Sequence, residues 1–416
     1  MIEIKNDVLH FSFPSIATEI KALLEGYIEK KLVSMIAENR ETVIEQWLGM
    51  SHALNSPQEY QDKVRSVVRG LSDSDIEKLL RKKISREAET YGRMNVEFQR
   101  TLRIPDDGKT HYLPPGLGRF PLRHLEDYAE SAPQKWLERG GVIMPMFQAE
   151  ALWINFCAGY PCALKIASGK INAISGEAWG SGLNRTPQDY VVTSEQPWLD
   201  GFAVEKGVIR QFVAMPLGAG YSVEEQLSGK ADVGGIQLQA HPMKAKSYFQ
   251  KVIRPNLPKR LTDILGDVLP LYSENRFAGL GVKFCYENMG LGAGGRMRQE
   301  IYADPYEAKD WDLEQSSRCF VHLCNAMVWR ELTGENPPQP PVTAREYEKA
   351  RMPWFDYYAD DLAVLNGSQK LASVLSVGAV SKVKGDQIIP ANESVNVPNV
   401  VPCGPKKKIV KEWTGT

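Results

Sequence analysis

The chain is short of the residues that announce chemistry most directly. Its 416 residues include six cysteines and six histidines, too sparse for a disulfide scaffold and without the paired spacing of a zinc site. The cysteines read as reduced thiols. No stretch approaches the ~18 uninterrupted apolar residues of a membrane-spanning helix. The opening MIEIKNDVLH carries charges where a secretory signal needs an apolar run. There is no excess of charge of either sign. Fifty basic residues against 51 acidic ones leave a formal charge of −1, which supplies no field to gather nucleic acid or an anionic membrane. G-x-S-x-G elbows, H-E-x-x-H, Walker loops and EF-hand loops are all missing. These absences set the expectations: a soluble cytoplasmic protein with no membrane partner, nucleic acid disfavoured, no cofactor and no metal.

What is present is an ordinary globular balance, with 43% apolar and 24% charged residues, enough to bury a core. Ile20, Leu23, Leu24, Tyr27 and Ile28 recur at helical spacing, as do Val43, Ile44, Trp47 and Leu48. Ser74-x-x-Glu77 reads as a capping box opening a further helix. Residues 15–91 therefore read as a charged amphipathic helical module. After Gly92 the period falls to two, with Met94, Val96 and Phe98 alternating against polar residues. Hairpins are expected to turn at Ser168-Gly169 and near Lys206-Gly207. Ser222-x-x-Glu225 opens a short helix that Gly229 ends, and Gln237, Gln239 and His241 alternate with Ile236, Leu238 and Ala240, the pattern of a wet sheet face. Residues from about Leu313 to Leu332 return to a helical period. The expected class is α+β, a predominantly antiparallel β core with peripheral helices and an N-terminal helical module. It divides into a strand plus helical module (1–92), a β-rich main domain (93–383) and a basic C-terminal tail (384–416).

The loudest motif is ENMGLGAGGRMRQEI, in which Gly290, Gly292 and Gly295 keep the spacing G-x-G-x-x-G. A dinucleotide fingerprint needs a helix next, because the pyrophosphate rests on that helix's N-terminal amides. Here Pro305 follows too soon, and Arg296, Arg298 and Glu300 alternate with Met297, Gln299 and Ile301 as in a strand. A hairpin with a flexible glycine tip suits the stretch better. Its surviving functional form is an anion seat at Gly290, Gly292, Gly294 and Gly295 with Arg296 and Arg298. Ser222, at a helix start in MPLGAGYSVEEQ, would join it.

Other clusters have bland readings of equal or greater weight. Cys319, His322 and Cys324 cannot converge on one ion from a regular helix, and Cys157 and Cys162 lack ligand partners. Asp356, Asp360 and Asp361 lie among the aromatics of WFDYYADD, as raised-pKa acids or as the rim of an aromatic plug. Lys406–Lys408 and Lys411 read as a solvated tail.

The phrases FQRTLRIPDDGK, YLPPGLGRFPLRH, QPWLDG, VIRQFVAMPLGAGYSVEEQLSG and MGLGAGGRMRQEIY, spread over residues 94–365, resemble those of conserved uncharacterised bacterial proteins. The resemblance implies no activity and no catalytic residue. Two functions are therefore carried forward. The first is a non-catalytic protein acting by self-association or partner binding through the helical module. The second is an enzyme or binding protein for a small anionic or phosphorylated ligand at the glycine-rich segments.

Overall fold

The computed structural model describes residues 1–27, 90–255, 288–351, 354–357, 362–386 and 400–403, with scattered positions between 62 and 82. Ile2–Lys5 (β1) and Val8–Ser12 (β2) form a hairpin closed by Asn6 and Asp7 at φ of 52° and 60°. Two-residue hairpin loops need positive φ, and Asn and Asp adopt it at little cost. Pro14–Tyr27 (α1) then buries Ile16, Ile20 and Leu24, one stripe of a 3.6-residue period. The longer strands that follow are Arg93–Thr101 (β3), Val142–Met146 (β4), Ala151–Cys157 (β5), Cys162–Ser168 (β6), Gly201–Glu205 (β7) and Val208–Pro216 (β8). Beyond them come Ile236–Pro242 (β9), Asn288–Arg298 (β10) and Ser317–Asn325 (β11).

All eleven belong to one 17-stranded sheet. From β1 the pairing runs through β2, β3, β5, β8 and β10, antiparallel at each step. β7 flanks β8. β10 touches β11 at Asn288 and Met289, and β9 and β6 continue antiparallel from β11. Parallel pairing joins β4 to β11, Thr110–His111 to β10, and Trp354–Tyr357 (β12) to Val400–Cys403 (β13). The helices on the sheet are short: Val223–Ser228 (α2), Ala326–Thr333 (α3) and Val377–Lys384 (α4). None of the described helices is long and apolar enough to cross a membrane.

The expected α+β class with an N-terminal helical module is corrected by this architecture. The body is mostly antiparallel β sheet, and among the described residues one continuous helix, α1, stands near the start. Its stripe is covered by the chain itself, with the Tyr27 ring edge-on to Phe249 at 5.8 Å. Most of residues 28–89, which carried the rest of that expectation, lie outside the described residues. The cap expected at Ser74 is formed two residues earlier, where the Ser72 hydroxyl bonds Asp75 at 2.5 Å and accepts from its amide at 3.2 Å.

Two further local readings change. Residues 317–325 form a strand before α3 begins. Both faces of β11 bear apolar, buried residues, among them Phe320, Val321, Leu323 and Cys324, so alternation is lost and a helical period is mimicked. The glycine-rich stretch is no tip either; it is the extended strand β10. Its glycines are bare so that other backbone can lie against it. A Cβ at Gly292 would sit 2.8 Å from Val377 Cγ2 and 3.0 Å from the Tyr221 carbonyl oxygen; one at Gly295 would sit 2.4 Å from that of Pro105.

That contact yields a test. Gly295→Ala presses a methyl into main chain that cannot step aside, so a loss of about 1–3 kcal/mol is expected from the urea midpoint. Gly159→Ala meets nothing within 4 Å and should leave the midpoint within about 0.5 kcal/mol.

Candidate functional site

The structure brings some of the sequence-picked residues together but engages their polar groups. Ser222 is the N-cap of α2: its hydroxyl donates to Glu225 Oε2 at 2.6 Å and accepts from the Glu225 amide at 3.1 Å. Ser222 also bridges Gly292, and a Cβ on Gly290 would lie 3.0 Å from Ser222 Cβ, so the two glycine-rich segments do meet. They meet as packed backbone. Gly294 lies against Val213 and Gln211, and Gly295 against Ile104 and Pro105. Glu205 holds Arg296 by two bonds, at 2.9 and 2.8 Å. Asp356 lies 3.1 Å from Arg298, whose guanidinium covers the Tyr112 ring at 5.4 Å.

The metal-like clusters are also dispersed. On the strand β11, Cys319 faces the side opposite to His322 and Cys324, because side chains alternate. Among the described residues no three His, Cys, Asp or Glu side chains are grouped to hold a metal ion. Burial pushes the Cys319 thiol up to about 12 and raises Cys162 and Cys324 as well. Asp360, Asp361, Lys406–Lys408 and Lys411 lie outside the described residues.

A different place gathers charge. β6, β9 and β11 are adjacent, and their register sets Lys165 opposite Gln239 and Gln239 opposite Arg318. The next row is Ala167, Gln237 and Phe320. Directly opposed residues share a face, so this polar face is the reverse of the one carrying Ile166, Leu238 and Cys319. Lys165 is 2% exposed. Its ammonium donates to the carbonyls of Gly180 and Gly182 at 2.9 and 2.7 Å and pairs with Asp189 at 2.8 Å. Those bonds hold the loop bearing Trp179 over the sheet, with Lys165 Nζ 5.3 Å from the indole centroid. Arg318 lies over the same ring at 5.6 Å and donates to Gln237 Oε1.

Arg139 completes the arrangement from another loop. Its guanidinium covers Phe320 at 5.7 Å and donates to the Asp232 and Val233 carbonyls at 3.1 and 3.5 Å. Gly140 and Gly141, at φ of 63° and 99°, let its chain lie on β11; a Cβ at Gly141 would be 2.1 Å from the Phe320 carbonyl oxygen. His322 anchors the same turn, donating Nε2–H to the Gly140 carbonyl at 3.0 Å while stacking on Trp136. Burial pushes that imidazole down to about 4, so it is neutral near pH 7. Arg139, Arg318, Lys170, Trp179, Gln237 and Phe320 line one cleft of about 560 Å³. Lys170 has a carboxylate neighbour, Asp232, at 3.3 Å. Arg139 and Arg318 bond to oxygens of amides alone among the described residues. Glu138 is the one carboxylate on the lining.

One buried acid stands apart from the cleft. Asp200 is 2% exposed and exchanges bonds with Gln299, its amide donating to Oε1 at 2.9 Å and its Oδ2 accepting from Nε2 at 2.8 Å. Burial pushes its carboxyl up to about 7, although bonds from Trp198 and Gln299 pull the other way. In the unfolded chain an aspartate titrates near ~3.9. The folded protein therefore keeps a proton that the unfolded chain has lost, and stability falls as pH rises from about 4 to 7. Asp200→Asn removes this slope. Its urea midpoint should gain on the wild type between pH 5 and pH 8; a constant difference would contradict the assignment. The thiols give a second check: iodoacetamide at pH 8 should modify Cys157, exposed at the end of β5, before the buried Cys162, Cys319 and Cys324, as read by mass spectrometry.

Sequence reasoning missed the cleft because its cations come from three separate loops and strands. The signals it did register were Gln237 and Gln239 on a wet face and the Ser168-Gly169-Lys170 turn. Comparison of the chain with known protein families, with curated proteins and with solved structures found no match.

Proposed function

We propose that this protein binds a small anionic ligand, a phosphate ester or a carboxylate, in the cleft over β6, β9 and β11. The observation that carries the reading is the pair Arg139 and Arg318. Each guanidinium is laid on an aromatic ring and bonded to amide oxygens, with no carboxylate partner among the described residues. Arginine presents a planar fork matched to carboxylate and phosphate oxygens. Holding it on a ring reduces the freedom lost when an anion arrives. Lys170 adds a third cation on the lining. The proposal places the anion away from Gly290–Arg298, where Arg296 and Arg298 already have carboxylates.

Self-association through residues 15–91 is the other proposal, supported by the amphipathic spacing of that segment. The stripe of α1 is used within the chain, which leaves that reading to residues beyond it. Static light scattering addresses it: a monomer at high concentration removes it.

Titration calorimetry with inorganic pyrophosphate and with citrate tests the cleft. Binding is expected for at least one of them, weakened about tenfold or more by Arg318→Ala and by Arg139→Ala, the worth of a charge-assisted bond. Arg296→Ala should leave the affinity unchanged. Loss of binding in Arg296→Ala with retention in Arg318→Ala would move the site to β10.

A further inference from the structure

The geometry points to Glu224 as the positioning residue of this cleft, an inference that rests on the anion-binding reading above. Glu224 sits in α2 and is 1% exposed. Among the described residues its carboxylate accepts from main-chain amides alone: Gly234 N–H to Oε2 at 2.7 Å and Lys170 N–H to Oε1 at 3.2 Å, with Val233 adding a third. These amides belong to two turns. One carries Lys170. The other carries Asp232 and Val233, whose carbonyls hold the Arg139 guanidinium and whose Asp232 carboxylate meets Lys170 Nζ. Two of the three cations of the cleft, Lys170 and Arg139, thus take their places from turns that one buried carboxylate ties together, while Arg318 is set by β11.

The turns are built around that carboxylate. Gly169 and Gly234 stand at φ of 55° and 63°, and a Cβ at Gly169 would lie 2.1 Å from Glu224 Oε2. The helix itself does not need Glu224 for its start, since Ser222 and Glu225 form the capping box. A buried carboxylate without a bonded cation is unfavourable unless amide donors replace its water. Plain packing would be served by an apolar residue of the same size.

A coulombic role and a positioning role give opposite signs. A negative charge behind the cleft repels an anion, so neutralising it would tighten binding if charge alone mattered. If Glu224 positions the turns, neutralising it loosens binding, because a glutamine puts an NH2 donor where a carboxylate oxygen had accepted from a main-chain N–H. The experiment is calorimetric titration of wild type and Glu224→Gln with pyrophosphate and with citrate. It is paired with hydrogen exchange of the peptides covering residues 169–170 and 232–235. The expected result is an affinity about tenfold lower in the variant with faster exchange in those two turns and unchanged exchange elsewhere. Equal or tighter binding by a folded Glu224→Gln overturns the inference while sparing the anion-binding reading. No binding of either anion by the wild type overturns that reading and the inference with it. If Glu224→Gln does not fold, Glu224→Asp replaces it, keeping the charge and shortening the reach by one methylene. The same loss is expected there, and wild-type affinity contradicts it.

Discussion

The register of β6, β9 and β11 is the constraint on which the proposed site depends. One face of these strands is sealed against the core through Ile166, Leu238 and Val321. A slip by one residue would turn every side chain over, so hydrophobic burial on one side fixes the polar order on the other. Lys165, Gln239 and Arg318 stand in one row for that reason. The buried Lys165 ammonium is fully engaged with Asp189 and two carbonyls. It works as a tether for the Trp179 loop, and that loop in turn gives Arg318 a ring to lie on.

Glycine serves two different purposes in this chain. Along β10 it removes side chains so that the Tyr221–Ser222 backbone, α4 and the Ile104–Pro105 loop can press on a strand. Around Gly169 and Gly234 it allows tight turns to close on Glu224. The spacing G-x-G-x-x-G belongs to the first use. Gly290 and Gly292 lie in the ladder with β8 and Gly295 at the register shift opposite Gln211, so none stands at the start of a helix, where a pyrophosphate would find free amides.

Features written in neighbouring residues were legible from the sequence. The hairpin expected to turn at Ser168-Gly169 turns one residue later, at Gly169-Lys170; that between β7 and β8 turns at Lys206-Gly207, and the Ser222 capping box with Gly229 delimits α2. The alternation of Ile236–His241 gave the strand β9, but not a wet face: Gln237 and His241 are buried, and only Gln239 is partly exposed. Where a strand is buried on both sides, as β11 is, alternation carries no signal and a helix was expected instead. The cleft was illegible for another reason. Arg139, Lys170 and Arg318 are distant in the chain, and only strand pairing and the Glu224 clamp bring their side chains to one place. Arg296 and Arg298 looked free in the sequence because Glu205 and Asp356 are equally remote from them.

The most direct test of the anion cleft is a crystal of the full chain soaked in tungstate, with the tungsten located by anomalous scattering. The account requires a peak within hydrogen-bonding reach of Arg139 and Arg318, beside Trp179 and Phe320. A peak along Gly290–Arg298, with the cleft showing none, would contradict it.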